Sequence, residues 1–220
     1  ILNTGDELQV PGENLEPGKV YESNGIMLTS LLKEMNLSSK RHRVEDHLTT
    51  TKEMIKQLSD ENDLLIITGG ISVGDYDFVG KALDLLGCKK QFYKVKQKPG
   101  KPLYFGKTKN CYVFALPGNP AAALTCFYQY VGVAIRKMKG AENADLAQLN
   151  LPIERDLMKK KGRAVFYKAF TNFKTVKVLE GQGSDILKSF ALANCFVYVK
   201  SNITSIKKNE IVKVHLISNV

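Results

Sequence analysis

Asp63-Leu64-Leu65-Ile66-Ile67-Thr68-Gly69-Gly70 is an unbroken apolar run that ends on two glycines. It lacks alternation, so both of its faces must be covered, as in a buried strand of a parallel sheet. The flanks agree with that reading. After Asp46, residues Met54, Ile55 and Leu58 share one helical face, and Phe78 to Leu86 is helical again until Gly87 stops it. Asn24 to Met35 also spaces Ile26, Leu28, Leu31, Leu32 and Met35 as a helix. Cys111 to Leu116 is a second buried strand. It runs into Pro117-Gly118-Asn119-Pro120 and a long helix from Ala121 to about Lys139, with Asn119 suited to the N-cap and Pro120 to the first helical position. Alternation of this kind predicts an α/β domain, three layers around a largely parallel sheet.

Beyond Gly140 the texture changes. Residues 141–149 read as a linker. Short alternating runs follow (Ala164–Phe170, Thr175–Leu179, Cys195–Val199, Ile211–Leu216), broken by Gly, Asn and Lys-rich turns. They predict a small all-β barrel, so the expected domains are 1–147 and 148–220.

The 220 residues, 44% of them hydrophobic, suffice for one medium domain and a small one. No apolar run reaches the ~18 residues that cross a bilayer, so no membrane partner is expected. The opening Ile1-Leu2-Asn3-Thr4-Gly5 reads as a strand entering a loop, as if the chain began inside a longer protein. Cys88, Cys111, Cys126 and Cys195 form no Cys-x-x-Cys pair and have no histidine at ligand spacing. Reduced, buried thiols and a cytoplasmic location are expected, rather than a zinc site. His42, His47 and His215 are scattered, which leaves a histidine-based nucleophile unsupported.

The net charge of +10 is lopsided: residues 1–147 carry 19 basic against 17 acidic side chains, residues 148–220 carry 13 against 5. A solvated basic face is the ordinary meaning of such a run, and attraction of an anionic ligand the sharper one. Nucleic acid is not expected, since aromatic residues are not interleaved with the basic ones.

Ligands of open α/β sheets bind beyond the carboxyl ends of the strands, and three loops occupy such places. They are Thr4-Gly5-Asp6-Glu7-Leu8, Gly69-Gly70-Ile71-Ser72-Val73-Gly74-Asp75-Tyr76-Asp77 and Leu116-Pro117-Gly118-Asn119-Pro120. Glycines let backbone N–H groups approach a phosphate, and a following helix adds its positive end. Singly, each is more often a tight turn or a cap; together they point to a site. Asp6, Glu7, Asp75, Asp77 and Asp46 suit a hard cation such as Mg2+. Lys94, Lys96 and Lys98 would share one side of an extended strand and lead into Pro99-Gly100-Lys101-Pro102. That ladder is either an edge strand guarded by lysines or an anion site, and the stiff turn favours the latter.

These motifs, with Glu22-Ser23-Asn24 and the downstream Gly162-Arg163, Gly181-Gln182-Gly183-Ser184 and Ser189-Phe190-Ala191-Leu192-Ala193-Asn194, stand in the order found in one family. The chain resembles molybdopterin molybdenumtransferases, the family of MoeA and the gephyrin E domain, over nearly its whole length. The resemblance implies a molybdopterin-binding α/β domain of the kind shared with MogA, followed by the β barrel. It implies insertion of molybdenum from molybdate into adenylylated molybdopterin, with a divalent cation and release of AMP. It assigns Glu7, Asp46, Asp77, Lys94 and Lys98 to catalysis, with Glu7 and Asp77 also on Mg2+. It assigns Thr4, Gly5, Asp6, Gly69, Gly70, Ser72, Gly74, Asp75, Lys101, Pro117, Gly118, Asn119, Lys168 and Ser184 to cofactor binding.

Three positions depart from the family pattern: Lys168 stands where arginine is common, Ala121-Ala122 replaces Val-Ser, and Glu22 replaces Asp. The family carries two further N-terminal domains that contribute to a homodimer and to the active site, so the fragment is expected to be weak or inactive alone. The related molybdopterin adenylyltransferase is the rival reading, opposed by the β domain after residue 150. A gephyrin-like peptide scaffold is another, for which no groove is marked.

Overall fold

The computed structural model describes residues 1–71 and 77–217. The chain forms two compact units, residues 1–95 with 102–124 and residues 96–101 with 125–220. Residues 96–101 join the second unit because Gln97 and Lys98 pair with Ala164 and Val165 there.

In chain order the elements begin β1 (Leu2–Thr4), β2 (Leu8–Gln9), β3 (Val20–Tyr21), α1 (Asn24–Glu34), β4 (His42–Val44), α2 (Leu48–Glu61), β5 (Leu64–Thr68), α3 (Phe78–Leu85) and β6 (Lys89–Tyr93). Next come β7 (Gln97–Lys98), which belongs to the second unit, then β8 (Tyr104–Lys107), β9 (Tyr112–Leu116) and α4 (Pro120–Cys126).

The sheet of the first unit has six strands in the order β4-β1-β5-β9-β8-β6. β4, β1, β5 and β9 are parallel, while β8 and β6 add an antiparallel edge. β5 is buried along Leu65–Thr68, as its unbroken apolar run requires. Ile55 and Leu58 of α2 and Val79 and Leu83 of α3 pack with Leu2, Leu65, Ile67 and Val113 in the core. Each such side chain contributes about 1.5–3 kcal/mol by leaving water. Gly87 ends the third helix as expected, with positive φ.

The lysine ladder is not formed. β6 stops at Tyr93, Lys94 takes a positive φ of 64°, and Lys98 lies in β7. The turn at Lys94 breaks the alternation that would have aligned the three side chains.

In the second unit the helix expected over 121–139 continues α4 as a π-helix, Phe127–Val131, and then α5 (Gly132–Met138). The strands are β10 (Gln148–Pro152), β11 (Leu157–Met158), β12 (Ala164–Thr171), β13 (Val176–Val178), β14 (Cys195–Val199), β15 (Ser205–Ile206) and β16 (Ile211–Leu216). They form an antiparallel sheet β10-β16-β14-β12-β13, with β7 parallel to β12 and β11 paired to β15. A bridge from Ile153 to Val176 joins the two edges, which gives the small barrel. Ile153, Ala169, Val176, Cys195, Val197 and Val214 fill its core. All four cysteines are buried and unpaired. Among the described residues, no helix is long and apolar enough to cross a membrane.

Candidate functional site

β1, β5 and β9 are parallel neighbours, so the loops that follow them leave from one edge of the sheet. Gly69 has φ +83°, and a Cβ on it would lie 2.2 Å from the Thr4 carbonyl oxygen; one on Gly70 would lie 2.5 Å from Thr4 Oγ1. Only glycine permits this approach of two backbones. Gly69 N donates to Leu116 O at 3.3 Å, and a Cβ on Gly118 would reach Gly69 Cα at 3.6 Å. Thr4, Gly69, Gly70 and Gly118 are therefore brought together. Pro117 and Asn119 flank Gly118, and Asn119 O accepts from Ala122 N and Ala123 N at the start of α4. Ser72, Gly74 and Asp75 lie outside the described residues.

β4 neighbours β1 on its other side, which adds the loop at Asp46. Asp6 Oδ1 accepts from Asp46 N at 2.9 Å, and the Glu7 carboxylate folds back over Gly5. Burial, and then the negative charges of Asp6 and Glu7, hold the Asp46 carboxyl above its ordinary value. The Thr4 side chain offsets part of that rise without a well-formed hydrogen bond. Thr4 Oγ1, Asp46 Oδ1 and Asn24 Oδ1 are buried and make no such bond.

These hard oxygen donors fit a magnesium ion in chemistry. No group of three or more His, Cys, Asp or Glu among the described residues forms a ready cage. An ion here would share its shell with ligand phosphates, as Mg2+ usually does.

Asp77 is the N-cap of α3: its Oδ1 accepts from Gly80 N at 2.9 Å, and its Oδ2 accepts from the Tyr93 hydroxyl at 2.7 Å. The neighbouring Lys94 is exposed, its Nζ 4.7 Å from the Tyr93 ring centroid.

In the second unit, Lys98 and Lys101 are exposed on either side of Pro99-Gly100. Lys168 turns inward. It is 3% exposed, its Nζ donates to Gly183 O at 3.2 Å and Ile186 O at 2.9 Å, and it lies 5.4 Å from the Phe190 ring centroid. Burial lowers its pKa. It organises the loop that carries the half-buried Ser184.

Asn24 and Tyr93 escaped the sequence reading. Asn24 Nδ2 donates to Gly118 O at 2.8 Å across 94 residues. Asn24 sits in a quoted motif, but where its side chain ends is a tertiary fact.

Residues 1–137 match a family described as a probable molybdopterin binding domain, and residues 150–217 match the MoeA C-terminal region (domain IV). A molybdopterin molybdenumtransferase of Haemophilus influenzae is 30% identical over 97% of this chain and 54% of its own length. The molybdenum cofactor synthesis protein cinnamon of Drosophila melanogaster is 38% identical over 71% of the chain and 26% of its own. The crystal structure of a MoeA protein from Pyrococcus horikoshii aligns with TM-score 0.84 at 25% identity, covering 100% of this chain and 54% of that one. The chain thus spans about half the length of these two full-coverage relatives. The parallel sheet whose loops meet at Thr4, Gly69 and Gly118 lies within the first matched region, and β10 to β16 within 148–216 fill the second. The chain belongs to the family described as the probable molybdopterin binding domain, and its second matched region is similar to the C-terminal region of MoeA.

Proposed function

We propose that this chain is the part of a molybdopterin molybdenumtransferase that binds adenylylated molybdopterin and molybdate, with molybdenum entering the dithiolene and AMP leaving. The observation that carries this is the close meeting of the Thr4, Gly69 and Gly118 loops at one sheet edge, beside Asp6, Glu7 and Asp46. Backbone N–H groups of Gly5, Asp6, Gly70, Gly118 and Asn119 suit a phosphate, held beside Thr4, Gly69 and Pro117. Glu7, Asp46 and Asp77 are the functional carboxylates, and Glu7 and Asp77 would hold Mg2+, which polarises the phosphoanhydride when bound. Asp77 already accepts two hydrogen bonds, yet each carboxylate oxygen keeps a second lone pair.

Lys94, Lys98 and Lys101 neutralise the molybdate dianion and cofactor phosphate, and Ser184 adds a hydroxyl. We take 147/148 as the boundary between the two folds, the cytoplasm as the location and a homodimer as the state of the full-length protein.

The test is AMP release by full-length protein given adenylylated molybdopterin, molybdate and Mg2+. Glu7→Gln is expected to lower it on the order of a hundredfold while the pterin still binds, since the charge acts on the reacting phosphoanhydride. An unchanged rate would remove Glu7 from the site. Formation of the adenylate from molybdopterin and ATP would instead identify an adenylyltransferase.

A further inference from the structure

The turn that carries Lys98 and Lys101 is held by side chains of its own unit. Gln97, just before it, is 2% exposed, a buried polar group that is costly unless bonded. Its acceptor and both donors are engaged. The Tyr130 hydroxyl donates to Oε1, and Nε2 donates to Pro99 O at 3.2 Å and contacts Cys126 Sγ at 3.8 Å. Cys126 is buried and kept protonated by that burial, and its thiol donates onward to Gly100 O at 3.9 Å. Two consecutive carbonyls of the turn are thus tied down by side chains, while the lysines on either side stay exposed.

The helix is reshaped where this happens. Tyr130 lies in the π-helix Phe127–Val131 between α4 and α5. A π-turn holds one more residue than an α-turn and rotates the side chains after it by about 100°. An apolar residue at 97 would need no such partner. Keeping a buried glutamine together with a π-turn costs stability that packing alone does not require.

We infer that Gln97, Tyr130 and Cys126 are positioning residues that lock the backbone of the Lys98–Lys101 turn, so that its two lysines present a preset pair of charges to a tetrahedral oxyanion. The inference rests on the proposed reading of Lys98 and Lys101 as anion-binding lysines. A fixed backbone leaves less entropy to lose when the anion binds.

The test uses the full-length protein with molybdate titrated in the insertion assay. Tyr130→Phe removes one hydroxyl and keeps the ring. It is expected to raise the KM for molybdate about fivefold with kcat nearly unchanged, the effect of one lost hydrogen bond in ground-state binding. Hydrogen exchange at Gly100 and Lys101 should speed up while β12 and β14 exchange as before. Lys98→Ala and Lys101→Ala are run alongside. If they raise KM and Tyr130→Phe does not, the positioning role is wrong and the anion reading stands. If neither lysine variant moves KM, the anion reading fails and carries this inference with it. Faster exchange throughout β12 and β14 would also overturn the inference, since Tyr130 would then be packing the whole unit. Gln97→Leu, which removes all of the glutamine's bonds, should raise KM further; should it fail to fold, Tyr130→Phe decides alone.

Discussion

Asp46 carries a charge that its surroundings oppose. Its carboxyl is raised above the ordinary 3.8 by burial and by Asp6 and Glu7. A folded value above the unfolded one means that protonation favours the fold. That contribution is present below 3.8 and lost as pH rises through the folded value. Asp46→Asn should therefore raise the melting temperature at pH 7 and lose that advantage in acid. The gain should be at most about 1 kcal/mol, because solvent screens a partly exposed group. The same variant should lose molybdenum insertion. A melting temperature unchanged at pH 7 would mean that the three carboxylates do not repel one another. The sequence named all three, but it could not say that Asp6 would bond to the Asp46 amide 40 residues away.

The loops are where strands become a site, and their constraints are backbone constraints. Gly69→Ala would put a methyl 2.2 Å from the Thr4 carbonyl at a φ of +83°. We expect a loss of about 1–3 kcal/mol, read as a lower urea midpoint at constant slope. The start of α3 separates two roles for Asp77. Asparagine caps as well as aspartate, whereas alanine costs about 0.5–2 kcal/mol. Asp77→Asn should keep the stability and lose Mg2+-dependent turnover, while Asp77→Ala should lose both. Full activity in Asp77→Asn would reduce Asp77 to a cap. The glycine pairs, the Asn119-Pro120 helix start and the buried runs of β5 and β9 were legible as patterns. The antiparallel edge of β8 and β6 and the turn at Lys94 were not, since both depend on partners far along the chain.

At the scale of the whole molecule, charge and titration matter most in the second unit. His215 stacks on Tyr198 with centroids 5.7 Å apart, and its Nδ1 lies 3.0 Å from Gln129 Oε1. Burial first, and then the charge of Lys213, push its pKa from 6.5 down to about 4. Its neutral form favours the fold, so stability is present above pH 6.5 and lost as pH falls toward 4. His215→Phe should be less stable at pH 7 by about 1 kcal/mol, for the lost hydrogen bond. Its melting temperature should then fall less steeply from pH 6.5 to 4. Parallel slopes for the two proteins would refute a buried neutral histidine. The excess of basic residues after 147 predicts that molybdate association weakens with added salt.

What the sequence determined by itself was periodic or local. Unbroken apolar runs demanded strands covered on both faces, alternating runs demanded a barrel, and Gly or Asn-Pro turns marked where helices begin and end. Those signals depend on residues a few positions apart, so a linear reading reaches them. Only the tertiary structure decided that Lys168 turns inward onto two carbonyls, that Asn24 reaches Gly118, and that Gln97 and Tyr130 join across the π-helix. A side chain's bonding partner is chosen by which strands lie side by side, and the order β4-β1-β5-β9-β8-β6 is written in no single stretch of the chain.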